Sequence, residues 1–372
     1  MLKQIGKFFK STIFICNIIA IFVLFLSALS GKVSPNAFMP FAYLGLAFPF
    51  ILFINIFFAI WWLFTRQWKF LVVCLVSLVI CSGAIFAYFP MHAKTKEIPE
   101  DCIKVLSYNV MRFNQYKKHT EKKPSDLIQY ILDSDADIVC LQEYGSHEST
   151  TLMTERDIEN IFRRKYPYRK YFNITEEPKE KGGNVIFSKF PILSSKKIPY
   201  DSEYNGSFAV ELNIKGKTVM VINNHLESNG LTIEDRNTYV EALRDMKELE
   251  FNKMEKMGKI MKLRFASSYR IRARQADAVS EWVKKTKTPY IIVCGDFNDT
   301  PISYTRYKIM GNLLKDSYAE TGRGVGITYN KNKFWFRIDY ILHSKNIKAY
   351  NCTVGKIDDS DHYPIQTYLK LN

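Results

Sequence analysis

The first quarter of this sequence lacks acidic residues, because all 37 Asp and Glu of the 372-residue chain come after residue 91. That first part carries six Lys and Arg, whereas the remainder holds 46 Lys and Arg against the 37 acids. The formal net charge of +15 is therefore divided between two kinds of segment. Such an asymmetry points to a membrane or surface element joined to a separate globular domain.

Three long stretches near the amino terminus lack charge altogether, and Ile, Leu, Val, Phe, Ala and Trp dominate all of them. Each exceeds the roughly 20 residues that cross a hydrocarbon core. A cleaved signal peptide is the alternative for the first stretch, but its apolar run is longer than an ordinary signal core and two more runs follow. The sequence predicts a membrane anchor over residues 1–91 with three transmembrane helices, near 11–30, 41–64 and 70–90.

The positions of the basic residues predict an orientation. Lys3, Lys7, Lys10, Arg66 and Lys69 flank one side of the predicted spans, while Lys32 lies alone in the intervening loop. Positively charged flanks tend to remain cytoplasmic. We therefore expect a multi-pass protein of the plasma or inner membrane, with a cytoplasmic amino terminus and an extracytoplasmic carboxy-terminal domain. The spans contain no charge that would form an ion or substrate path, so anchoring is a simpler interpretation than a channel or transporter.

The sequence has no CxxC motif, although it contains seven cysteines. Cys16, Cys74 and Cys81 lie in the predicted spans, and Cys140 and Cys294 lie in apolar runs typical of buried strands. A free cysteine there behaves as a small buried hydrophobe. We predict neither a disulfide framework nor a zinc site.

After a polar linker at 92–101, the chain alternates between strand-like and helical segments. Apolar runs rich in Val and Ile predict strands at 103–109, 137–143, 184–190, 207–214, 218–226, 290–298 and 336–343. Some of these runs follow each other directly, while helical segments separate others. This mixture predicts an α/β sandwich with largely antiparallel sheets over residues 102–372.

A basic helical insertion interrupts this domain at about 231–270. Leu243, Met246, Leu249 and Met254 recur at near-helical spacing, and residues 253–274 carry eight Lys and Arg against one Glu. One interpretation is a solvated helix that packs its apolar stripe on the domain. The other is a basic surface for anionic lipid headgroups or a polyphosphate backbone. Arg270, Arg272 and Arg274 begin a helix after the insertion. We interpret them as a solvated helix end, and the alternative is that one of them reaches the phosphate.

Short polar motifs end strands or open loops along the domain. They are SYNV, LQE, NHLES, GDFNDTP, RIDYIL and SDHYP, and they carry Asn109, Glu143, His225, Asp296, Asn298, Asp339, Asp361 and His362. Taken singly, an Asn or Glu at a strand end is usually a capping residue, and a lone His is usually a hydrogen-bonded structural group. GDFND and SDH-x-P are stronger, because carboxylates beside a tight turn after an apolar strand have little structural purpose.

The ordered set of motifs resembles the endonuclease/exonuclease/phosphatase superfamily of DNase I-like proteins over about residues 102–372. The resemblance implies a four-layer α/β sandwich with two central sheets and an active site at one rim. It also implies a metal-dependent phosphoesterase. A hard cation such as Mg²⁺, or Mn²⁺, prefers oxygen ligands and needs few carboxylates.

The resemblance implies a role for each residue of the set. Glu143 is the first predicted metal ligand, with Asn109 and Asp361 beside it. His362 is the predicted general base, oriented by Asp339. Asp296 and Asn298 would position the water and the phosphate, and His225 would donate to a phosphate oxygen or assist the leaving group. Histidine suits such duties because its pKa lies near neutrality.

Three functions fit these predictions to different degrees. The first is hydrolysis of phosphodiesters or phosphomonoesters at the extracytoplasmic membrane face, with lipid-linked phosphoesters slightly favoured. The second is an extracytoplasmic endonuclease or exonuclease. The third is an inactive binding or scaffold module, which is disfavoured because no acid, amide or histidine of the set is replaced. The expected partners are the phosphoester substrate and the bilayer, with no obligate protein partner.

Overall fold

The computed structural model describes residues 2–114, 125–147, 154–177, 180–202, 205–229, 251–331 and 335–372. Up to residue 88, the described chain contains helices joined by turns and no strand. Its helices are α1 Leu2–Leu29, α2 Pro40–Leu46, α3 Phe48–Phe64, α4 Trp68–Ile80 and α5 Ser82–Tyr88.

Among these described residues, a single helical stretch, Phe8–Lys32, is by itself long and apolar enough to cross a membrane. Of the three predicted transmembrane helices, only the first is confirmed as a single helix, and the number of spans reaches three only if each bent pair is one span. The second and third predicted spans are helix pairs, α2 with α3 and α4 with α5, and each pair is bent by 63°. Pro49, in the first turn of α3, lacks the N–H that would continue α2, and Ser82 with Gly83 stands at the second bend. Proline and Gly/Ser pairs are the usual causes of such kinks.

The long helices α1, α3 and α4 pack against one another around a small polar contact. The Trp62 indole N–H donates to the Asn17 side-chain oxygen at 2.9 Å, and the Cys74 thiol lies 3.2 Å from the same oxygen. The outward faces are apolar, and the side chains of Phe64 and Val79 are 81% and 71% exposed. A continuous exposed apolar surface of this kind fits contact with lipid.

The carboxy-terminal part contains two six-stranded mixed sheets. The first has the order β11-β12-β1-β2-β4-β3 and the second β5-β6-β7-β8-β10-β9. The strands are β1 Ile103–Asn109, β2 Ile138–His147, β3 Tyr168–Glu177, β4 Glu180–Ser188, β5 Ile192–Lys197, β6 Gly206–Ile214, β7 Lys217–His225, β8 Tyr290–Asp296, β9 Leu314–Asp316, β10 Asp339–Ser344, β11 Ile347–Val354 and β12 Ile365–Leu371.

The sheets stack face to face, because alternate apolar residues of each strand point into a shared core. Val105 and Cys140 of the first sheet pack there with Val221 and Cys294 of the second. Helices α6 Asp126–Asp133 and α7 Glu155–Arg163 cover the first sheet. Helices α8 Phe251–Lys285 and α9 Tyr304–Met310 cover the second sheet, and a short helix α10, Ser317–Thr321, follows β9. The predicted α/β fold with two central sheets is confirmed in this part of the chain.

Helix α8 contains the second half of the predicted basic insertion, while residues 230–250 lie outside the described residues. The helix is continuous to Lys285. Ala276, Val279 and Val283 on its buried face pack against the second sheet. These three residues follow the predicted insertion, and Leu243, Met246 and Leu249 of its own apolar stripe lie outside the described residues. The packed helix and the lipid-binding basic surface therefore both stay predictions.

Candidate active site

Three of the predicted site residues lie side by side because of strand register. β7 and β8 run parallel and end at the same edge of the second sheet, where His225 pairs with Asp296. β10 runs antiparallel to β8 and begins at this edge, so that Asp339 lies opposite Asp296. The sequence separates these residues widely, and the sheet places them on adjacent strands.

The first sheet contributes Asn109 and Glu143 at the facing edge. Asn109 ends β1, whose neighbour β2 carries Glu143 inside a register shift between Leu141 and Tyr144. Glu143 has a φ of 48°, in the left-handed region that non-glycine residues seldom occupy. A bulge turns a side chain away from its normal alternation. Glu143 is thereby directed at the site instead of following the pleat of the strand.

Buried amides connect the two sheets directly below the site. Gln142 donates from its side chain to the Asn223 oxygen at 2.6 Å, and the Asn223 amide donates to the Leu141 carbonyl at 2.9 Å. Both side chains are fully buried. Hydrogen-bonded polar groups in a core specify one arrangement strongly, because leaving them unpaired is costly. These bonds therefore fix the distance between the first sheet, which carries Glu143, and the second sheet, which carries His225.

Asp296 lies at the centre of the site and is almost fully buried. Its Oδ2 accepts from the Asn109 side-chain amide at 3.2 Å and lies 3.6 Å from His362 Nε2 and 3.9 Å from His225 Nε2. Its Oδ1 accepts from the backbone N–H of Asn298 at 2.8 Å. Residues from three separated motifs thus meet on one carboxylate.

Glu143 adjoins this centre through two neighbours. Asn109 Nδ2 donates to Glu143 Oε1 at 2.9 Å, and His225 Nε2 lies 3.6 Å from the same oxygen. The Asn109 side-chain oxygen accepts from the Met111 backbone N–H at 3.1 Å, so its amide nitrogen faces the two carboxylates. As a predicted metal ligand, Asn109 would bind the cation through its side-chain oxygen. In this arrangement it instead donates from its side-chain nitrogen to the two carboxylates.

His362 and Asp339 form a hydrogen-bonded pair. His362 Nδ1 lies 2.9 Å from Asp339 Oδ2, which leaves Nε2 directed at Asp296. The turn that carries His362 is tied to β1, because the Ser360 hydroxyl donates to the Asn109 carbonyl at 2.9 Å and accepts from the His362 N–H at 3.1 Å. Ser360 thus fixes the backbone of His362, and Asp339 fixes its ring.

The remaining two predicted residues border the same cavity. Asn298 has a φ of 52°, and its side-chain amide donates to the Leu226 carbonyl at 2.9 Å, which joins the loop after β8 to the end of β7. Asp361 is half-buried and lines a cavity of about 150 Å³ together with Glu143 and His362. All eight predicted residues therefore come together at one rim.

The charges and the burial of the site together raise the pKa values of Asp296 and His362 and lower the pKa of Glu143. Burial and the nearby charge of Asp339 raise the pKa of Asp296 to about 6, against the opposing effect of His362. Burial alone would lower the pKa of His362, but Asp339 and Asp296 outweigh it and raise the pKa to about 10. Burial would likewise raise the pKa of Glu143, yet His225 and the hydrogen bond from Asn109 hold it below its usual range. His362 is consequently protonated at neutral pH.

The donor set fits a hard divalent cation. Glu143, Asp296 and Asp361 present carboxylates to one cavity, and such cations bind through one or two carboxylates and retained waters. Ligand atoms of Asp296, Asp339 and His362 also lie within 4.8 Å of one another. That second group is less suited, because a histidine ligand must be neutral and the pKa of His362 is raised to about 10.

Several residues at the site were missed by sequence reasoning. Arg112 lies in a turn where residues 111–114 all have φ between 43° and 55°, and it borders a second cavity, of about 240 Å³, with Glu143 and His225. The ring of Tyr329 packs edge-on against His362 at 5.1 Å. Leu46 of α2 lines the first cavity. Only Arg112 had a local signal, because it follows the SYNV motif by two residues.

The interpretation of Arg272 as a solvated residue was wrong. Its side chain is fully buried, donates to the Glu227 carbonyl at 2.6 Å and lies 3.6 Å from Asp299 Oδ2. The guanidinium also lies over the Tyr269 ring, 4.7 Å from its centroid. Arg272 therefore connects helix α8 to the loop after β7 through Glu227 and to the loop after β8 through Asp299.

Comparison with known proteins agrees with this geometry. A sequence model described as the Endonuclease/Exonuclease/phosphatase family matches residues 106–362, and a model described as a domain of unknown function matches residues 10–88. No curated protein matches the chain.

Solved structures are similar to this chain at low sequence identity. The human nocturnin catalytic domain with bound sulfate anion is 17% identical, with a TM-score of 0.50, over 74% of this chain and 96% of that one. A family protein from Leptotrichia buccalis C-1013-b is 17% identical, with a TM-score of 0.48, over 72% and 99%. Truncated Caenorhabditis elegans TDP2 is 17% identical, with a TM-score of 0.46, over 72% and 97%.

Proposed function

Since this chain belongs to the endonuclease/exonuclease/phosphatase family and is a metal-dependent phosphoric ester hydrolase, we propose that it cleaves phosphodiester or phosphomonoester bonds at the extracytoplasmic face of a membrane. Lipid-linked phosphoesters are the favoured substrates. The observation that carries the proposal is the convergence of Glu143, Asp296 and His362 on one cavity whose wall includes a residue of the amino-terminal helices.

Each side chain has a chemical task in this proposal. Glu143 and Asp361 would hold Mg²⁺ or Mn²⁺. Asp296 would orient the attacking water, and Asn298 would support that carboxylate through its backbone N–H at 2.8 Å. His225, directed at Glu143 and Asp296, would donate to a phosphate oxygen or to the leaving group. These tasks satisfy the three needs of phosphoester hydrolysis: positive charge, an oriented nucleophile and a proton for the leaving group.

The protonation of His362 restricts its role. With a pKa raised to about 10, the ring holds its proton at neutral pH and can donate to a phosphate oxygen. General-base action needs the neutral ring. A bound divalent cation would supply positive charge that stabilises phosphate oxygens and lowers the pKa values of a bound water and of His362. His362 would therefore act as a proton donor while its ring is protonated. It would act as a general base where a bound cation lowers its pKa enough to leave the ring neutral.

The membrane orientation is supported by where the ends of the helices lie. Lys10 Nζ lies 5.2 Å from the centroid of the Phe70 ring, so the start of α1 and the basic turn that contains Arg66 and Lys69 are at the same end of the bundle. The opposite end contacts the catalytic part, where the Ser30 hydroxyl donates to the Ile302 carbonyl at 3.0 Å. With the basic end cytoplasmic, the active site would be extracytoplasmic.

Hydrolysis by the full chain in detergent micelles tests the proposal. We expect Mg²⁺- or Mn²⁺-dependent cleavage of bis(4-nitrophenyl) phosphate, which His362→Ala lowers by at least about a hundredfold. Unchanged activity in that variant would remove His362 from the mechanism. A panel of DNA, RNA, sphingomyelin and phosphoinositides distinguishes the lipid hypothesis from the nuclease alternative, and no cleavage of any substrate would favour the inactive module.

A further inference from the structure

The catalytic cavity has two chemically different walls. One wall is acidic and carries Glu143, Asp296 and Asp361 together with His362. The other is apolar and aromatic, and it is formed by Leu46, Phe265, Tyr269, Phe336 and Ile338. Phosphate chemistry uses only the first wall. The second resembles the apolar lining that ligand sites use to hold the non-reacting part of a molecule.

Leu46 comes from the amino-terminal helices rather than from the catalytic part. It is the last residue of α2, and the neighbouring Tyr43 packs edge-on against Tyr269 of α8, with ring centroids 6.1 Å apart. Phe265 lies one turn before Tyr269, at a centroid distance of 6.2 Å. The anchor and helix α8 thus build this wall jointly.

α2 lies against the chain segment that follows the GDFND motif. A Cβ on Gly45 would lie 2.2 Å from the Ile302 carbonyl oxygen, so only glycine permits this approach. The Ser30 hydroxyl donates to that same carbonyl at 3.0 Å. Ile302 is itself fully buried among apolar residues of the anchor. Gly45, the residue before Leu46, is therefore held against Ile302, which follows Asn298 by four residues.

A second junction connects the anchor to the strand of Asp339. Arg337, two residues before Asp339, is fully buried and donates a hydrogen bond to the Ala87 carbonyl near the end of α5. Its guanidinium lies over the Tyr318 ring, 4.5 Å from the centroid. A buried guanidinium without such an acceptor would be costly. The anchor consequently contacts the segment after β8 at Ile302 and the segment before β10 at Arg337.

The size of the cavity limits what it can enclose. Its volume of about 150 Å³ is below the roughly 300–1,000 Å³ of sites that enclose a drug-sized ligand. A phosphate and the atoms next to it would fill it, so the rest of a larger substrate must extend along the mouth.

We propose that helix α2 of the anchor forms part of the substrate site and that Leu46 determines specificity for an amphiphilic phosphoester. The phosphate would lie in the cavity beside Asp296 and His362, and an alkyl or acyl chain would contact Leu46, Phe265 and Tyr269. This inference rests on the proposed hydrolase function. It differs from simple tethering, because the anchor here contacts the substrate and does not merely bring the domain to the bilayer.

Two synthetic diesters with the same leaving group test this inference in the full-length protein in micelles with Mg²⁺. They are dodecyl 4-nitrophenyl phosphate and methyl 4-nitrophenyl phosphate, and the readout is the ratio of their kcat/KM values. We expect a ratio well above one for the wild type, and a ratio about tenfold lower for Leu46→Ala, the scale on which apolar pockets discriminate. Leu46→Gln, which keeps the side-chain length, is expected to lower the ratio similarly.

The matched control is Leu63→Ala, at an outward position of α3 that is 47% exposed. It should leave the ratio unchanged, because partition of the dodecyl ester into micelles is common to all variants. A ratio that neither Leu46 variant alters would overturn the inference while the hydrolase proposal stands. Hydrolysis of neither ester by the wild type would overturn both. If Leu46→Ala slows cleavage of a single-stranded oligonucleotide as strongly as cleavage of the dodecyl ester, the apolar wall binds bases. That result would contradict an amphiphilic substrate.

Discussion

Replacing Asp339 by Asn tests whether the Asp339 charge controls His362. The two side chains are buried, and Asp339 Oδ2 lies 2.9 Å from His362 Nδ1. The variant keeps the volume of the side chain but removes its negative charge. The ring can then remain in place, while its proton affinity changes.

The magnitude follows from the pKa of His362, which is raised from 6.5 to about 10. A shift of one pKa unit corresponds to about 1.4 kcal/mol, so the whole shift corresponds to about 5 kcal/mol. Burial opposes this shift, and Asp339 and Asp296 produce it, with Asp339 contributing more. Asp339 is the larger contributor, so its loss should remove a substantial part of this energy and lower the pKa of His362. Because general acid–base catalysis contributes about 100- to 10,000-fold, we expect a ring of altered proton affinity to lower kcat by at least about tenfold.

The assay is the pH dependence of kcat for bis(4-nitrophenyl) phosphate with the full chain and Mg²⁺. Removing a negative charge lowers the pKa of His362, so the limb of the profile that reports His362 should move to lower pH in Asp339→Asn. Thermal unfolding establishes that the variant is folded. A folded variant with kcat within about threefold of the wild type and an unmoved profile would refute the argument.

Three further predictions concern metal, acid stability and topology. Chelation of the metal should abolish hydrolysis reversibly. Glu143→Gln should raise the Mg²⁺ concentration needed for half-maximal rate by at least about tenfold. An unaltered Mg²⁺ requirement would exclude Glu143 as a ligand. Burial opposes ionisation of Asp316, but Arg306, 2.8 Å away, and Arg337 outweigh it and hold its pKa below 3.8 in the folded chain. The contribution of this pair to the free energy of unfolding is therefore present above pH 3.8 and lost as pH falls through the folded pKa. Asp316→Asn should lower that free energy at pH 7 by about 3–5 kcal/mol, measured by urea titration, and a loss below about 1 kcal/mol would contradict the pairing. Protease added to intact cells should digest the catalytic part and spare an amino-terminal tag, whereas a protected catalytic part would reverse the orientation.

Local patterns in the sequence were sufficient for much of the fold. The apolar run at 103–109 coincides with β1, and the run at 290–298 contains β8. The motifs that end these runs carry Asn109 and Asp296, whose side chains are in hydrogen-bond contact. Strand patterns are readable because alternation and β-branched residues report burial on a sheet. The roles assigned to the eight residues remain predictions.

Other features depend on contacts that no local pattern records. Arg272 resembled a solvated helix residue because its neighbours in sequence are basic, yet its partners are Glu227 and Asp299. The left-handed φ of Glu143 arises where β2 shifts register against β4. Its direction could not be inferred from the letters LQE.

By itself, the sequence determined where the apolar helices lie, which runs become strands and which polar residues end them, because hydrophobic periodicity and turn chemistry act over a few neighbouring residues. Only the tertiary structure decided that two predicted spans bend by 63° and that Leu46 reaches the catalytic cavity. Leu46 and His362 meet there because the surfaces of α2, α8 and the loop at Ile302 fit one another. Such complementarity is a property of packed surfaces and is not encoded in the spacing of residues along the chain.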